Sequence, residues 1–329
     1  MNSHYRIHRI FVLTTILSSD PHQYSRHVSI TENSHVRKVA QCLPPARWYG
    51  MTYFVQALTL IQTPWRKNVK PLLFVVALMA LISRADIASE SLPPAVLGSA
   101  GPLQGETLNY YGNAAGYLVA PEGQGPHGSV ILIHEWNGLT DRVREVADAM
   151  ATEGYIALAA DLYSGRTGSN PGENMALGRE TLADPETLIE NLNAAVRYLN
   201  DRSDSSGKVA AIGWCYGGGV ALSFALGGVQ HEATAIFYGR LLDDPEQLKR
   251  IDHEVYGTFA GQDRSISVDA VNRFVEALRT AGVPNDVHIY DSVNHGFWLY
   301  VDSNRELRTD PAVDAWSRLK RYLARTIGS

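Results

Sequence analysis

The strongest structural signal in this chain is the stretch Gly213-Trp214-Cys215-Tyr216-Gly217-Gly218-Gly219. It follows an apolar, strand-like run at residues 208–212 and leads into helix-like residues 220–224. A strand that turns sharply into a helix strains the backbone of the central residue, and glycines two positions before and after that residue leave room for the turn. The stretch therefore predicts a nucleophile elbow with Cys215 at its apex, where most such enzymes carry serine. The alternative is that Cys215 is a small buried apolar residue, as lone cysteines often are.

Strand-like runs alternate with helix-period segments on both sides of this stretch. The runs lie at residues 116–120, 129–133, 156–160, 208–212, 233–238, 255–260 and 286–290. The helical segments lie at residues 141–153, 185–200 with an Asp184 cap, 218–228, 267–281 and 311–327. Several runs are apolar on both faces, which predicts an α/β fold with a mostly parallel sheet and helices on both faces. Sites in such sheets form at the carboxyl ends of the strands.

Three strand ends carry reactive side chains, in the chain order Cys215, Asp263 and His295. This order of nucleophile, acid and histidine is that of the α/β-hydrolases, with the histidine in a loop after the last strand. His295 would take the thiol proton and later give it to the leaving group, Asp263 would fix the imidazole tautomer, and the thiolate would attack a carbonyl carbon. Taken singly, Asp263 could instead cap a helix that starts near Ser267, and His295 could be a turn residue beside Gly296.

Together these residues resemble the dienelactone hydrolases, which are α/β-hydrolases with a Cys-Asp-His triad. The resemblance covers roughly residues 105–328. Its most specific parts are the cysteine elbow and the segments His134-Glu135-Trp136-Asn137-Gly138, Asp161-Leu162-Tyr163 and Asn294-His295-Gly296-Phe297. The resemblance implies the α/β-hydrolase fold and hydrolysis of carboxylic esters or lactones through a thioacyl-enzyme intermediate on Cys215.

The resemblance also implies a thiol-regulating role for Glu135, which follows the strand-like run 129–133. A carboxylate within reach of the thiol can accept its hydrogen bond and hold it neutral until substrate displaces the carboxylate. Without the resemblance, Glu135 would be interpreted as a loop charge or a helix cap. For the oxyanion hole we expect the backbone N–H groups of Tyr216 and Trp136.

The other motif residues have weaker functional signals. His134 is expected to pack at a strand end and Asp161 to hold a loop, rather than to act in catalysis. Four aromatic residues could line a substrate pocket, although aromatic residues near strand ends are as often core residues; they are Trp136, Tyr163, Phe297 and Trp298.

Two positions bear on the substrate. Members of the family that hydrolyse dienelactone hold its carboxylate with two arginines, one shortly after the Asp-Leu-Tyr segment and one four residues beyond the histidine. The second position is Leu299 in this chain, and near the first position Arg166 comes one residue late. Arg166 is thus a tentative substrate-binding residue, with a solvated surface arginine as the alternative. The departures argue against dienelactone itself as the natural substrate.

Charge divides the chain into a basic front section and an acidic body. Residues 1–88 hold ten Lys/Arg and three Asp/Glu, whereas the remaining residues hold 19 and 31, a formal charge of −12. The acidic body argues against nucleic-acid binding. In the front section, a basic segment at residues 66–70 precedes about 12 apolar residues and small residues suited to cleavage after Ala85 or Ala88. This layout predicts a secretory signal and a periplasmic or secreted protein; an uncleaved membrane anchor is the alternative, although the apolar run is short for a span.

These features divide the chain into four parts. We interpret residues 1–65 as an extension, 66–88 as a signal peptide-like segment, 89–104 as a linker and 105–329 as the hydrolase domain. The status of the extension 1–65 is uncertain, because Met51 would place the apolar run at a normal distance from a start residue and residues 1–50 need not then be translated in the native protein. Signal cleavage would remove Cys42 and leave Cys215 without an intramolecular disulfide partner.

Three classes of function are compatible with a single cysteine on this scaffold. The leading hypothesis is the ester or lactone hydrolase, with a small-molecule substrate and no stable membrane insertion after signal cleavage. A non-catalytic ligand-binding protein is the first alternative, because a fold alone does not establish activity. A thiol redox protein is the weakest, because the mature chain lacks a resolving cysteine. The sequence holds no Walker-type phosphate loop, HExxH motif or Cys/His cluster, so we expect neither a cofactor nor a metal.

Overall fold

The computed structural model describes residues 91–328, and the predicted signal segment, the extension and Cys42 lie outside them. One eight-stranded sheet forms the centre of the described part, in the order β1-β2-β4-β3-β5-β6-β7-β8. Its strands are β1 (Glu106–Tyr111), β2 (Ala114–Val119), β3 (His127–Ile133), β4 (Ile156–Ala160), β5 (Ser205–Trp214), β6 (Ala233–Phe237), β7 (Val255–Ala260) and β8 (Asn285–Tyr290). Strands β3 to β8 run parallel, and β2 pairs antiparallel with both β1 and β4.

The helices lie between successive parallel strands and after β8. They are α1 (Asp141–Thr152), α2 (Pro171–Leu182), α3 (Pro185–Asn200), α4 (Tyr216–Gly227), α5 (Pro245–Leu248), α6 (Val268–Ala281) and α7 (Arg305–Thr326), with short 3-10 turns at Pro94–Leu97 and Val301–Ser303. Asp184 caps α3 by accepting a hydrogen bond from the N–H of Thr187, as predicted. Within residues 91–328, no helix combines the length and the apolar character that a membrane span requires.

Alternate residues of each central strand enter different hydrophobic clusters, because side chains along a strand point to opposite faces of the sheet. On β3, Val130 and Leu132 pack in the cluster that includes residues of α1 and α7. Ile131 and Ile133 pack in the cluster that includes residues of α3 and α4. Both faces of the sheet are therefore covered, which explains why the central strands read as continuous apolar runs. The predicted α/β-hydrolase architecture is confirmed.

Four elements differ from the sequence prediction, and the first is helix α5, whose four residues are too few to show a helical period. Strand β1 was not predicted because it is an edge strand whose residues are exposed or half-buried, so it lacks an apolar pattern. Helix α2 was not predicted for a similar reason: of its 12 residues, Asn174 and Gly178 are the buried ones. Helix α7 begins at Arg305 rather than near Pro311. The Asn304 side chain caps it by accepting a hydrogen bond from the N–H of Leu307, and the helix continues through the proline.

The strand-to-helix turn at the end of β5 depends on the absence of side chains. A Cβ atom on Gly213 would lie 2.0 Å from the carbonyl oxygen of Gly217. A Cβ atom on Gly217 would lie 2.2 Å from the carbonyl oxygen of Ile133, at the end of β3. On the other side, Gly218 and Gly239 approach so closely that a Cβ on Gly239 would lie 2.4 Å from the carbonyl carbon of Gly218. The first turn of α4 is thereby wedged between the ends of β3 and β6.

We expect Gly217→Ala to lower the free energy of unfolding by about 1–3 kcal/mol, because the added methyl group meets rigid backbone rather than a flexible side chain. Urea denaturation followed by circular dichroism measures this. Gly227→Ala is the matched control in the same helix, since a Cβ there meets no atom within 4 Å. Equal stability of the two variants would contradict the tight packing described for this turn.

Candidate active site

Cys215 lies at the apex of the turn between β5 and α4, in a strained backbone conformation. Its φ and ψ angles are 55° and −115°, a region that residues with a side chain rarely adopt. Its N–H donates to the carbonyl of Phe237 at 2.9 Å, and its own carbonyl accepts from the N–H of Gly218 at 3.1 Å. The backbone bonds therefore hold the strained residue in place, with its side chain half-buried. This is the geometry predicted for a nucleophile elbow.

Asp263 and His295 are in direct contact, although 32 residues separate them in the sequence. The Nδ1 atom of His295 lies 2.7 Å from Oδ2 of Asp263. The other carboxylate oxygen of Asp263 accepts from the N–H groups of Ser265 at 2.7 Å and Ile266 at 3.2 Å. Burial opposes ionisation of Asp263, but the bonds from His295 and the backbone lower its pKa overall. Helix α6 is capped by Ser267, so Asp263 does not act as its cap.

His295 interacts with both Asp263 and Cys215. Burial alone would lower the pKa of His295, but hydrogen bonds to Asp263 and Cys215 outweigh that effect and raise the pKa to about 10. The ring of Tyr238 packs against the imidazole, with the ring centres 4.9 Å apart. The structure thus places His295 in contact with Asp263, and the interactions of the imidazole with Asp263 and Cys215 favour its protonated form.

Glu135 is a buried carboxyl group beside this arrangement, and it is 7% exposed. Its Oε2 atom accepts a hydrogen bond of 2.6 Å from the hydroxyl of Tyr300. Burial raises the pKa of Glu135, against the opposing effects of the Tyr300 bond and the positive charge of His295. The resemblance implies a thiol partner for this carboxylate, whereas the structure pairs it with Tyr300. Its thiol-regulating role stays a prediction, and Tyr300, which no sequence motif marks, is an unpredicted neighbour.

The expected oxyanion-hole residues lie on either side of the elbow. Tyr216 is the first residue of α4, where a helix leaves its N–H groups without intrahelical acceptors. The loop with Trp136 follows β3, and a Cβ on Gly217 would lie 2.5 Å from the carbonyl oxygen of His134 in that loop. The two segments are thus adjacent, while a backbone oxyanion hole remains a prediction. The Trp136 side chain is 38% exposed, so it is available at the surface of the site.

His134 and Asp161 hold backbone segments together. His134 contacts the carbonyl of Glu135 through Nδ1 at 2.6 Å and accepts from the N–H of Leu162 through Nε2 at 3.3 Å. Burial lowers the pKa of His134 to about 4, so its imidazole is neutral near pH 7. The Asp161 carboxylate accepts from three backbone N–H groups, those of Ala115, Tyr163 and Gly165. Both residues therefore stabilise the loops after β3 and β4.

Three of the aromatic residues predicted to line a substrate pocket are core residues instead. Phe297 and Trp298 are fully buried, and Tyr163 is 1% exposed. The Trp298 ring stacks on Trp214 with the ring centres 5.7 Å apart. The sequence analysis could not separate these alternatives, because an aromatic residue after a strand fits a pocket wall and a core position equally well.

Arg166 forms an ion pair with Glu180. Its guanidinium contacts both carboxylate oxygens of Glu180, at 3.0 and 2.6 Å, and both side chains are at least half exposed. Arg166 also lines a polar cavity of about 370 Å³, together with Ala115, Leu139, Thr140, Asp141, Arg144, Asp161, Gly165 and Thr167. Cys215, His295 and Asp263 do not line this cavity. Contact between Arg166 and a substrate carboxylate stays a prediction, and it would compete with Glu180.

Metal chemistry was not predicted for this site. Across residues 91–328, no group of three or more His, Cys, Asp or Glu side chains is arranged to hold a metal ion. Each of the reactive side chains at the strand ends is instead hydrogen-bonded to protein groups, as described for His295, Asp263 and Glu135.

Comparison with known proteins places the chain in a family. The sequence model of the dienelactone hydrolase family matches residues 114–327. Protein usf of Aquifex pyrophilus is 31% identical over 216 residues, which cover 61% of this chain and 89% of that protein. A Methylorubrum extorquens protein with the provisional name carboxymethylenebutenolidase is 26% identical over 217 residues, which cover 62% of this chain and 74% of that protein.

A solved structure has a similar fold. It is a dienelactone hydrolase-like promiscuous phosphotriesterase from metagenomic libraries, with a TM-score of 0.62 and 22% sequence identity. The match covers 69% of this chain and all of that protein, and at this identity it supports the fold alone. The family match extends from β2 to the last residues after α7 and includes the elbow, Asp263 and His295. The chain therefore belongs to the dienelactone hydrolase family and is a hydrolase with the α/β-hydrolase fold.

Proposed function

We propose that this hydrolase cleaves carboxylic esters or lactones through a thioacyl intermediate on Cys215. The observation that supports this most strongly is the 2.7 Å contact between His295 and Asp263 beside a cysteine in a strained elbow conformation. The three groups come from the ends of β5, β7 and β8, and His295 interacts with both Asp263 and Cys215. A nucleophile, a base within hydrogen-bond reach and an acid that orients the base form the minimal set for covalent acyl transfer.

The reaction would proceed in two steps. The Cys215 thiolate attacks the carbonyl carbon, and the His295 imidazolium gives its proton to the departing alkoxide. Neutral His295 then takes a proton from water, the resulting hydroxide attacks the thioester, and cleavage of the C–S bond releases the acid and restores the Cys215 thiolate and the His295 imidazolium. The N–H groups of Tyr216 and Trp136 would stabilise the oxyanion in both steps.

The chemistry of sulfur narrows the substrate class. A thiolate is a good nucleophile and also a good leaving group, so a tetrahedral intermediate expels it readily unless the other leaving group is better. Activated esters and strained lactones therefore suit this site better than amides. The pairing of Arg166 with Glu180 and the presence of Leu299 further favour substrates without a carboxylate at these positions over dienelactone itself.

Replacement of the nucleophile provides the first test. We expect Cys215→Ala to lower kcat/KM for 4-nitrophenyl acetate by about a thousandfold or more, because a positioned nucleophile acts as one unit with its base. A panel that adds a dienelactone and larger 4-nitrophenyl esters would define the acyl group. Equal turnover by both proteins would disprove the proposed nucleophile, and tight ligand binding without turnover across the panel would favour a binding protein.

The role of Asp263 gives a second prediction. Asp263→Asn removes the carboxylate charge that lies beside Nδ1 of His295. The imidazolium is then less stable, so the pKa of His295 falls from about 10. Imidazole titration by NMR measures the change, and kcat should fall by about 10²–10⁴-fold. Asp252→Asn is the matched control, since Asp252 lies 3.2 Å from the imidazole of His253 instead. An unchanged His295 titration in Asp263→Asn would contradict the orienting role.

We also propose that the chain is exported, on the basis of the signal-like segment at residues 66–88. We expect the protein recovered from the cell envelope or medium to begin at residue 86 or 89, as measured by mass spectrometry of the intact chain. Deletion of the apolar residues 71–82 should abolish this processing. Recovery of the uncleaved chain at the membrane would support an anchor in place of a signal.

A further inference from the structure

The end of β6 carries a strained residue that the reaction steps above do not use. Tyr238 directly follows β6 and has a φ angle of 41°, a value that bulky residues rarely adopt. Among residues 91–328, the other non-glycine residues with positive φ are Ser164 and Cys215. Glycine adopts this conformation with little strain, so a backbone requirement alone would favour glycine here. The strain therefore indicates that the tyrosine side chain itself has a role at this position.

Backbone contacts with both neighbouring strands hold Tyr238 in this conformation. Its N–H donates to the carbonyl of Thr258, in β7, at 2.8 Å. On the other side of β6, the carbonyl of the preceding Phe237 accepts from the N–H of Cys215 at 2.9 Å. Tyr238 is thus fixed relative to β7 and to the turn that carries the nucleophile.

The Tyr238 ring packs against the imidazole of His295. The two ring centres are 4.9 Å apart, and the ring planes are inclined by 60°. Tyr238 is fully buried, and its ring also contacts Phe297, with 6.1 Å between the ring centres. No hydrogen bond joins the Tyr238 hydroxyl to His295, so the contact is one between rings. The half-buried imidazole therefore lies against a rigid aromatic surface.

This contact restricts a motion that the ion pair leaves open. The hydrogen bond to Asp263 holds Nδ1 of His295, but a bond at one atom lets the ring tilt and displaces Nε2. A displacement of about 1 Å at a reacting group can lower a rate about a hundredfold. An aromatic ring within about 6 Å of a cation also attracts it. The packing of Tyr238 thus limits the tilt and favours the imidazolium over the neutral imidazole.

We propose that Tyr238 is a positioning residue whose ring holds the His295 imidazole in its catalytic orientation and stabilises the imidazolium. This inference rests on the proposed function of Cys215. Burial raises the pKa of the Tyr238 phenol well above its ordinary value, so the phenol carries no charge while the imidazole titrates. The other titratable groups that interact with the imidazole are Asp263 after β7, Cys215 after β5 and Glu135 after β3. All three remain in the variants that test the ring.

The test compares Tyr238→Leu with Tyr238→Phe in the full chain. We expect Tyr238→Leu to lower kcat for 4-nitrophenyl acetate by about tenfold or more and to change KM by about threefold or less, because the buried ring does not contact substrate. The NMR titration midpoint of His295 should fall by about half a pH unit, because the attraction between ring and cation is lost. Tyr238→Phe keeps the ring and should match the unchanged protein in both measurements. The His295 signal is identified by its absence in His295→Gln.

Phe259→Leu is the matched control. Phe259 is also buried, on β7, but it packs in a different hydrophobic cluster with residues of α6, so kcat and the His295 midpoint should not change. Circular dichroism checks that each variant is folded. Tyr238→Met takes the place of an unfolded Tyr238→Leu with the same expected result, because methionine fills irregular space without an aromatic ring.

An unchanged His295 midpoint in the folded leucine or methionine variant would overturn the proposal. Equal losses in Tyr238→Phe would also overturn it, because the hydroxyl rather than the ring would then act. The titration requires no turnover, so these outcomes are separable from failure of the proposed hydrolysis, which Cys215→Ala tests on ester substrates.

Discussion

The close packing of backbone around the first turn of α4 is the constraint on which the rest of this structure depends. Gly217 lies against the carbonyls at the end of β3, and Gly218 lies against Gly239 after β6. These contacts bring the carboxyl ends of three neighbouring strands together and force Cys215 into a left-handed conformation. The energy of that strained residue is offset by two backbone hydrogen bonds and by the packing of the turn. The half-buried side chain of Cys215 is thereby held at the carboxyl ends of the central strands.

The electrostatics of the site follow from what surrounds each buried group. His134 and His295 are both largely buried, yet their pKa values move in opposite directions, to about 4 and about 10. His134 contacts mainly backbone groups, so burial dominates and the imidazole stays neutral. His295 lies against the Asp263 carboxylate, and the ion pair outweighs burial. The same residue type is thus a neutral bridge between backbone groups in one loop and the charged partner of a carboxylate in another.

The order of the parallel strands explains why distant residues form one site. In the sheet, β5, β6, β7 and β8 are neighbours, and their carboxyl ends lie along one edge. The loops after β5, β7 and β8 deliver Cys215, Asp263 and His295 to that edge, and the loop after β3 adds Glu135. The exposed guanidinium of Arg166, in the loop after β4, forms an ion pair with Glu180 of α2.

Local sequence patterns were sufficient to predict the seven strands β2 to β8, five of the helices and the strained turn at Cys215, because buried strands, amphipathic helices and glycine-rich turns each leave a characteristic local pattern. Edge strand β1 and helix α2 bury too few residues to leave such a pattern. Contacts across the fold could not be inferred in the same way. The pairing of Glu135 with Tyr300 joins residues 165 positions apart, and the burial of Phe297 and Trp298 depends on how α7 and β5 pack around them. Such partners are selected by tertiary packing, since a side chain after a strand has the same local sequence whether it faces solvent, core or substrate.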